Sequence, residues 1–287
     1  MNIQSRNGIN NAVSTHYQTD DPVFTDKTLK WTALKIMNHD DANVALVFGA
    51  SAGLGRALAE QLAQSGYHLF MVSRTEKDLK ALSQDLSLRY SIQACYLACD
   101  LSEEKPESII DECKKHFQSF NLIAYVAGYS SPSLDAGNID ENFLESLAKI
   151  NFLAPIKIFN ALVPHIDINR PANLIFISSV AAVRARRKNM VYASSKRGTE
   201  FYMNALRHFF AKNSPQTNIQ IYRAGYLDTS MNFGENRMFP KLQPQKAAKI
   251  IENNLGKNGT FYLPWWWVII MSIYSTLPWP IYKKLNS

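Results

Sequence analysis

The chain alternates short, almost wholly apolar runs with longer stretches in which apolar positions recur every three or four residues. The apolar runs cover 44–48, 68–73, 93–99, 122–126 and 173–177. Each is short enough for a strand and apolar enough to be covered on both faces. Between them the pattern turns helical: after Gly55, over 75–89, and over 191–210, where Ala193, Phe201, Ala205 and Phe209 fall at turn spacings. Strands alternating with helices of this length predict an α/β fold, a doubly wound Rossmann-type parallel sheet with right-handed crossovers. One domain over 42–260 accommodates the pattern. A polar extension, 1–41, precedes it; its Leu29, Trp31, Leu34, Ile36 and Met37 suit a short amphipathic helix, and it lacks the apolar core of a signal peptide. An apolar, aromatic tail, 261–287, follows.

In such a sheet, ligands sit beyond the carboxyl ends of the strands. The first run leads into Gly49-Ala-Ser51-Ala-Gly53-Leu54-Gly55 and then a helix. Gly49 permits a tight turn, Gly53 lets the backbone approach a pyrophosphate, and Gly55 lets helix and strand pack closely. The helix N-terminus turns its N–H groups to the anion. The second run ends in Arg74, where a basic residue suits the 2′-phosphate of NADP(H) and an acidic one would suit NAD. Asp100 and Leu101 follow the third run, within reach of an adenine. Ala127 and Gly128 follow the fourth, leaving room for a cofactor.

Past the fifth run stand Ser178, Ser179, Tyr192 and Lys196. Tyr192 and Lys196, four apart, share one helix face. A free tyrosine hydroxyl titrates near about 10, and a fixed ammonium nearby lowers that value. A tyrosine so placed can give a proton to a carbonyl oxygen or take one from an alcohol.

Composition narrows the rest. The chain has 287 residues, a net charge of +7 and three cysteines, Cys95, Cys99 and Cys113. The cysteines form no even framework and no zinc spacing, so reduced intracellular thiols and no metal site are expected. The basicity by itself suits phosphate, anionic lipid or nucleic acid and does not choose among them. No nucleic-acid partner is expected. From 260 to 282 the chain is uncharged and holds Trp265, Trp266, Trp267 and Trp279, with Lys283 and Lys284 beyond. Pro264 and Pro278 leave too few residues for a spanning helix, which needs about 20. The expectation is docking at a membrane interface, with burial against a second subunit as the alternative. Arg184, Arg186, Arg187 and Lys188, between the serine and the tyrosine, are then candidates for a lipid-linked phosphate or the bilayer surface.

Taken together, Gly49-x-x-x-Gly53-x-Gly55, Asp100, Ala127-Gly128, Asn151, Ser179, Tyr192-x-x-x-Lys196 and Gly225-x-x-x-Thr229 resemble the short-chain dehydrogenase/reductase family over roughly 42–260. The resemblance implies a seven-stranded parallel sheet and an NADP(H)-dependent oxidoreductase acting on a carbonyl or alcohol. It implies that Ser179, thirteen residues before Tyr192, positions the carbonyl. Tyr192 would transfer the proton and Lys196 would hold the nicotinamide ribose. Asn151 would anchor a water relay to that lysine, and Thr229 would contact the carboxamide. It also implies a homodimer or homotetramer built on helices beginning near Asn142 and Val191. Two positions depart from the family pattern. Tyr125-Val126 stands where a strand-tying asparagine is usual, and Ala224 stands where proline precedes the glycine.

A closer likeness, in the Ser179–Tyr192 run and the tail, is to the decaprenylphosphoryl-2-keto-pentose reductases, which act on a lipid-linked sugar. It implies a lipophilic substrate met on the cytoplasmic face of a membrane, with Arg184 and Arg186 as substrate contacts. A long-chain keto-lipid or 3-oxoacyl reductase is the competing substrate reading. An NADPH-binding sensor or scaffold without chemistry, and an epimerase using the same tyrosine and lysine, are the alternatives of other classes.

Overall fold

The apolar runs fold into the centre of a parallel sheet. A computed structural model of the chain describes residues 43–130, 140–166, 170–185, 187, 189–229 and 239–285. They belong to one unit, 40–287. The expected helix within 1–41, and Arg186 and Lys188, lie outside the described residues. In chain order the elements are β1 (Val44–Phe48), α1 (Gly53–Gln64), β2 (His68–Ser73), α2 (Glu76–Tyr90), β3 (Ala94–Ala98), α3 (Pro106–Lys114), β4 (Leu122–Tyr125) and α4 (Glu141–Ala148). A π-turn, Lys149–Leu153, joins α4 to α5 (Ala154–Leu162). There follow β5 (Ala172–Ser179), α6 (Met190–Asn213), β6 (Thr217–Ala224), α7 (Pro244–Glu252), β7 (Gly259–Leu263), α8 (Trp267–Thr276) and α9 (Trp279–Tyr282).

The sheet has seven strands in the order β3-β2-β1-β4-β5-β6-β7, every pair parallel. Its order reverses between β1 and β4, which opens a crevice at their carboxyl ends. Two apolar clusters cover its faces. One packs Leu58 and Leu62 of α1, Leu79 of α2 and Ile251 of α7 against Val47 and Met71. The other packs Ile109 of α3, Phe159 of α5 and Met203 of α6 against Phe48 and Phe176. All five residues of β1 are buried, as a doubly covered strand requires.

β6 and β7 carry no plain apolar signature because polar side chains on them have partners. Gln220, fully buried, donates from Nε2 to the Lys257 carbonyl at 2.8 Å. Arg223 lies beside Tyr262 in the β6–β7 register and donates to its hydroxyl at 2.8 Å. Because β7 runs to Leu263, the boundary expected at 260/261 falls inside a strand, and the tail begins only after it.

On α6 the outcome reverses the simple reading of its pattern. Phe201 is 79% exposed and Phe209 faces outward as well. The buried face carries Lys196, Thr199 and Glu200 with Ala193 and Met203. Glu200, 1% exposed, accepts from Arg223 Nε at 3.0 Å and Nη2 at 2.7 Å, and from the Ser178 hydroxyl at 2.7 Å. A carboxylate can be buried here because it is both paired and hydrogen-bonded.

This pair generates a stability prediction. Glu200→Ala strands the Arg223 guanidinium and should cost about 3–5 kcal/mol in urea unfolding. Glu200→Leu combined with Arg223→Met and Ser178→Ala should recover most of that loss, because no polar partner of the carboxylate is then left buried. A single-variant loss below about 1 kcal/mol would show that water replaces the lost carboxylate.

Candidate active site

The site assembles at the carboxyl ends of the strands, in a cleft of about 690 Å³ lined by the glycine turn, Arg74, Gly128, Ser179, Tyr192, Lys196 and Thr229 among others. The glycine turn closes β1 onto α1. Gly49 has a φ of +89°, and a Cβ there would lie 2.6 Å from the Ala127 nitrogen. At Gly55 a Cβ would lie 2.0 Å from the Gly49 carbonyl oxygen. Only glycine lets this turn fold so tightly over the start of α1. Ala52, the N-cap of α1, offers no side-chain cap, and no acidic residue stands in the first turn. The leading N–H groups therefore suit an anion supplied from outside. Ser51 and Leu54 line the same turn, and Thr229 closes it from the far side.

Beyond the turn, the Ser51 and Ser73 hydroxyls are 2.7 Å apart, and Arg74 stands exposed at the end of β2. Asp100 accepts from the Ser102 hydroxyl at 2.7 Å and the Ser102 amide at 2.9 Å. These bonds, aided by the charge of Arg74, hold its carboxyl below the usual carboxylate range. Leu101 and Ala127 line the cleft beside it.

The reacting end is built by β5, α6 and the π-turn. The two serines divide: Ser178 turns to Glu200, while Ser179 remains in the cleft, its hydroxyl accepting from the Ala181 amide at 3.1 Å. Tyr192 and Lys196 sit on one face of α6, as their spacing predicts, and both line the cleft. Lys196 is 3% exposed. Its Nζ donates to the Ile177 carbonyl at 3.0 Å and lies 4.9 Å from the centre of the Phe176 ring. Burial pulls its pKa down to about 7, against the opposing attraction of Glu200. The spacing alone predicts a firmly held ammonium; the structure gives one whose proton is held loosely. A Cβ at Gly128 would come within 3.3 Å of Nζ, so this glycine keeps the lysine's surroundings open.

Asn151 lies in the π-turn, fully buried. Its side chain clamps Tyr129, accepting from the amide at 2.9 Å and donating to the carbonyl at 2.6 Å. Its own carbonyl accepts from Thr199 at 2.9 Å. The adjacent Ile150 carbonyl accepts from the Tyr125 hydroxyl at 2.7 Å. Tyr125, where the family pattern has an asparagine, thus ties β4 to the π-turn and stacks on Phe48 at a centroid distance of 6.0 Å.

Past β6, the Gly225 amide donates to the Leu263 carbonyl at 2.8 Å, and a Cβ at 225 would run into the Trp267 indole at 1.9 Å. Where proline is usual, the bend is held by an aromatic wedge from the tail. Arg184, expected to meet substrate, packs on the tail. Its guanidinium lies 3.8 Å over the Tyr282 ring and donates to the Tyr274 carbonyl. Sequence reasoning missed Glu200, Arg223 and Trp267. Glu200 extends the Tyr192, Lys196 spacing by four more residues, a signal that was there to read.

Comparisons with known proteins bear on the fold and the family. The chain is 25% identical over 255 residues to a very-long-chain 3-oxoacyl-CoA reductase of Podospora anserina, covering 84% of this chain and 74% of that one. It is 27% identical over 189 residues to a 3-oxoacyl-[acyl-carrier-protein] reductase of Bos taurus, covering 66% and 77%. Its fold matches a short chain dehydrogenase from Salmonella enterica serovar Typhi with a TM-score of 0.70 and 23% identity, covering 77% and 95%. It matches an alcohol dehydrogenase from Thermococcus sibiricus, solved with 5-hydroxy-NADP, at 0.68 and 20%, covering 77% and 96%. The family model described as short chain dehydrogenase matches residues 43–238, more than half of the chain, and the protein therefore belongs to the short-chain dehydrogenase family of oxidoreductases.

Proposed function

We propose that this protein is an NADPH-dependent reductase of a lipophilic ketone, working at a membrane surface on the cytoplasmic side. The observation that carries the reading is the meeting of Ser179, Tyr192 and Lys196 at one end of a cleft whose other end offers an uncapped helix N-terminus and Arg74. The residues present fit the cofactor. The start of α1 would receive the pyrophosphate, Arg74 would hold the 2′-phosphate through a charge-assisted bond, and Thr229 would hold the carboxamide. Asp100 and Leu101, which line the cleft, would border the adenine, and Gly128 would leave room beside the ribose.

When bound, the nicotinamide supplies a hydride to the carbonyl carbon. The Ser179 hydroxyl and Tyr192 Oη hold the carbonyl oxygen, and Tyr192 gives it the proton that completes the alcohol. Lys196, with its proton held only to about pH 7, stands on the same helix face and returns one. Glu200 supports that charge through space. Asn151 holds Tyr129 and the π-turn beneath the site, a class of helix irregularity often found at functional positions.

Lipophilic substrate and membrane contact rest on the tail. Trp267 and Met271 of α8 pack inward on Val180, while Ile269 (54%), Ile273 (56%) and Trp279 (66%) are exposed on the outer side. Ten residues of α8 are too few to cross a bilayer, and its exposed apolar side suits a helix resting in the interface plane. The longer apolar run Glu141–His165 has the length to cross, but it packs on the sheet through Ile158 and Phe159 and carries Asn151. Lys283 and Lys284, both exposed, suit anionic headgroups. A long-chain 3-oxoacyl compound is the substrate that the named relatives favour. A polyprenyl-phosphate keto-sugar is the second reading, favoured by the cations that follow Ser179. Exposed Phe201, Phe209, Leu144 and Leu153 on α6 and around the π-turn form the face on which we propose a homodimer or homotetramer.

Three outcomes test the reading. Tyr192→Phe should lower kcat on any reducible ketone by about 10²–10⁴-fold while NADPH still quenches protein fluorescence as in wild type. Near wild-type kcat in that variant would remove Tyr192 from the chemistry, and binding without turnover on a broad carbonyl panel would favour a sensor. Arg74→Asp should weaken NADPH far more than NADH in the same titration, because repulsion replaces attraction; equal loss of both would make Arg74 structural. Full-length protein should float with anionic liposomes at low salt and less at high salt. Ile269→Asp with Ile273→Asp should stay at the bottom of the gradient with an unchanged melting temperature. Wild-type protein that never floats and sediments as a stable oligomer would make the tail a subunit interface.

A further inference from the structure

Asn189 stands where the connection from Ser179 enters α6, as the N-cap of that helix. Its carbonyl accepts the Ala193 amide at 2.8 Å, so its main chain already belongs to the helix. Its φ of 56° and ψ of 36° are left-handed. An N-cap residue ordinarily has extended backbone, and an asparagine there ordinarily accepts from an amide of the first turn. Asn189 makes no such side-chain bond. Ser91, the other non-glycine residue with a positive φ among those described, closes α2 at its carboxyl end, where the left-handed conformation is usual. Neither local reason for an asparagine therefore holds at 189. The capping bond is forgone, and glycine would take the left-handed turn at less steric cost. What remains is the cleft, which Asn189 lines together with Ser179 and Tyr192.

We infer that the Asn189 carboxamide selects the substrate, by a hydrogen bond to a second, uncharged oxygen near the reacting carbonyl. The inference rests on the reductase reading above and adds to it a feature the substrate carries besides its ketone. Tyr192 is the third residue of α6. The side chains of an N-cap and of the third helical residue adjoin, an adjacency that a capping box uses. The amide therefore stands beside the proton donor. Its polar neighbours in the cleft are engaged, Ser178 with Glu200 and Lys196 with the Ile177 carbonyl. An uncharged amide complements an uncharged oxygen, whereas a carboxylate or phosphate calls for a cation. The carboxamide can donate from Nδ2 to a carbonyl, as in a 3-oxoacyl thioester, or accept at Oδ1 from a hydroxyl, as in a hydroxy ketone. A ketone with no second oxygen leaves that bond unmade, and a site built around such a bond discriminates through its loss.

Three ketones of one chain length serve as probes: the N-acetylcysteamine thioester of 3-oxooctanoate, 1-hydroxy-2-octanone and 2-octanone. Binding is read with NADP⁺, which cannot reduce them, from the rise in melting temperature with probe concentration. The ratio of kcat/KM values is then read with NADPH. Wild type should favour one of the two probes with a second oxygen over 2-octanone. Asn189→Gly keeps the left-handed turn, so the unliganded protein should melt no lower than wild type. The preference should fall about three- to tenfold, the worth of one neutral hydrogen bond, in binding and in kcat/KM alike. The carboxylate of Asn189→Asp can only accept. It should lose a preference for the thioester and keep one for the hydroxy ketone, which tells the two sources apart. A charge beside Tyr192 acts on all three ketones, so the ratio between probes is the quantity read. Unchanged selectivity in Asn189→Gly would overturn the assignment and leave Asn189 a backbone role alone. So would a wild type that does not distinguish the probes. A binding preference that Asn189→Gly removes, with no ketone reduced, would sink the reductase reading while the assignment stands. Reduction of all three ketones with selectivity intact in Asn189→Gly would do the reverse.

Discussion

The arrangement depends on one buried carboxylate. Glu200 joins α6 to β5 through Ser178 and to β6 through Arg223, and Arg223 passes the connection to β7 through Tyr262. The inward face of α6 is therefore fastened to three neighbouring strands by directional bonds, not by apolar contact alone. Directional bonds fix rotation as well as distance. The helix that carries Tyr192 and Lys196 cannot roll on the sheet without leaving a guanidinium or a carboxylate unpaired in the interior, at several kcal/mol. The same bond to Ser178 leaves Ser179, its neighbour on the strand, turned to the cleft.

Much of this was legible in the sequence because the central strands are covered on both faces. Such strands must be apolar throughout, and the residues that end the run then mark the ligand edge. Gly49, Arg74, Asp100, Gly128 and Ser179 could be placed at that edge before any coordinates. β6 and β7 escaped because Gln220 is buried and Arg223 half-buried, each with partners, and a polar group satisfied by a partner leaves no hydrophobic trace. Phe201 and Phe209 misled for the opposite reason. They are spaced as a core stripe, yet the core side of α6 is given over to Lys196, Thr199 and Glu200. The π-turn was illegible as well, since one extra residue per turn has no composition of its own. Tyr125 shows how a family departure is absorbed: the π-turn offers the Ile150 carbonyl, and the tyrosine hydroxyl takes it.

The tail is part of the site rather than an appendage. Trp267 wedges against Gly225 at the end of β6, and Tyr282 sits under Arg184 in the segment between Ser179 and Tyr192. β7, which an early boundary would cut, supplies the Leu263 carbonyl that holds the Gly225 amide. Two aromatic rings of the tail, Trp267 of α8 and Tyr282 of α9, are thus packed against both sides of the reacting end.

Lys196 also ties the acid–base chemistry of the site to the integrity of the fold. A lysine in the unfolded chain titrates near 10.5, and in the folded protein burial brings it to about 7. Between those values the unfolded chain binds more protons than the folded one, so this residue's contribution to folding becomes more favourable as pH rises through that window. Below about 7 both states hold the proton, and the native state bears the full desolvation penalty of an interior cation. The protein thus carries a thermodynamic handicap on the acidic side of neutrality, set by the same side chain that is proposed to return a proton to Tyr192.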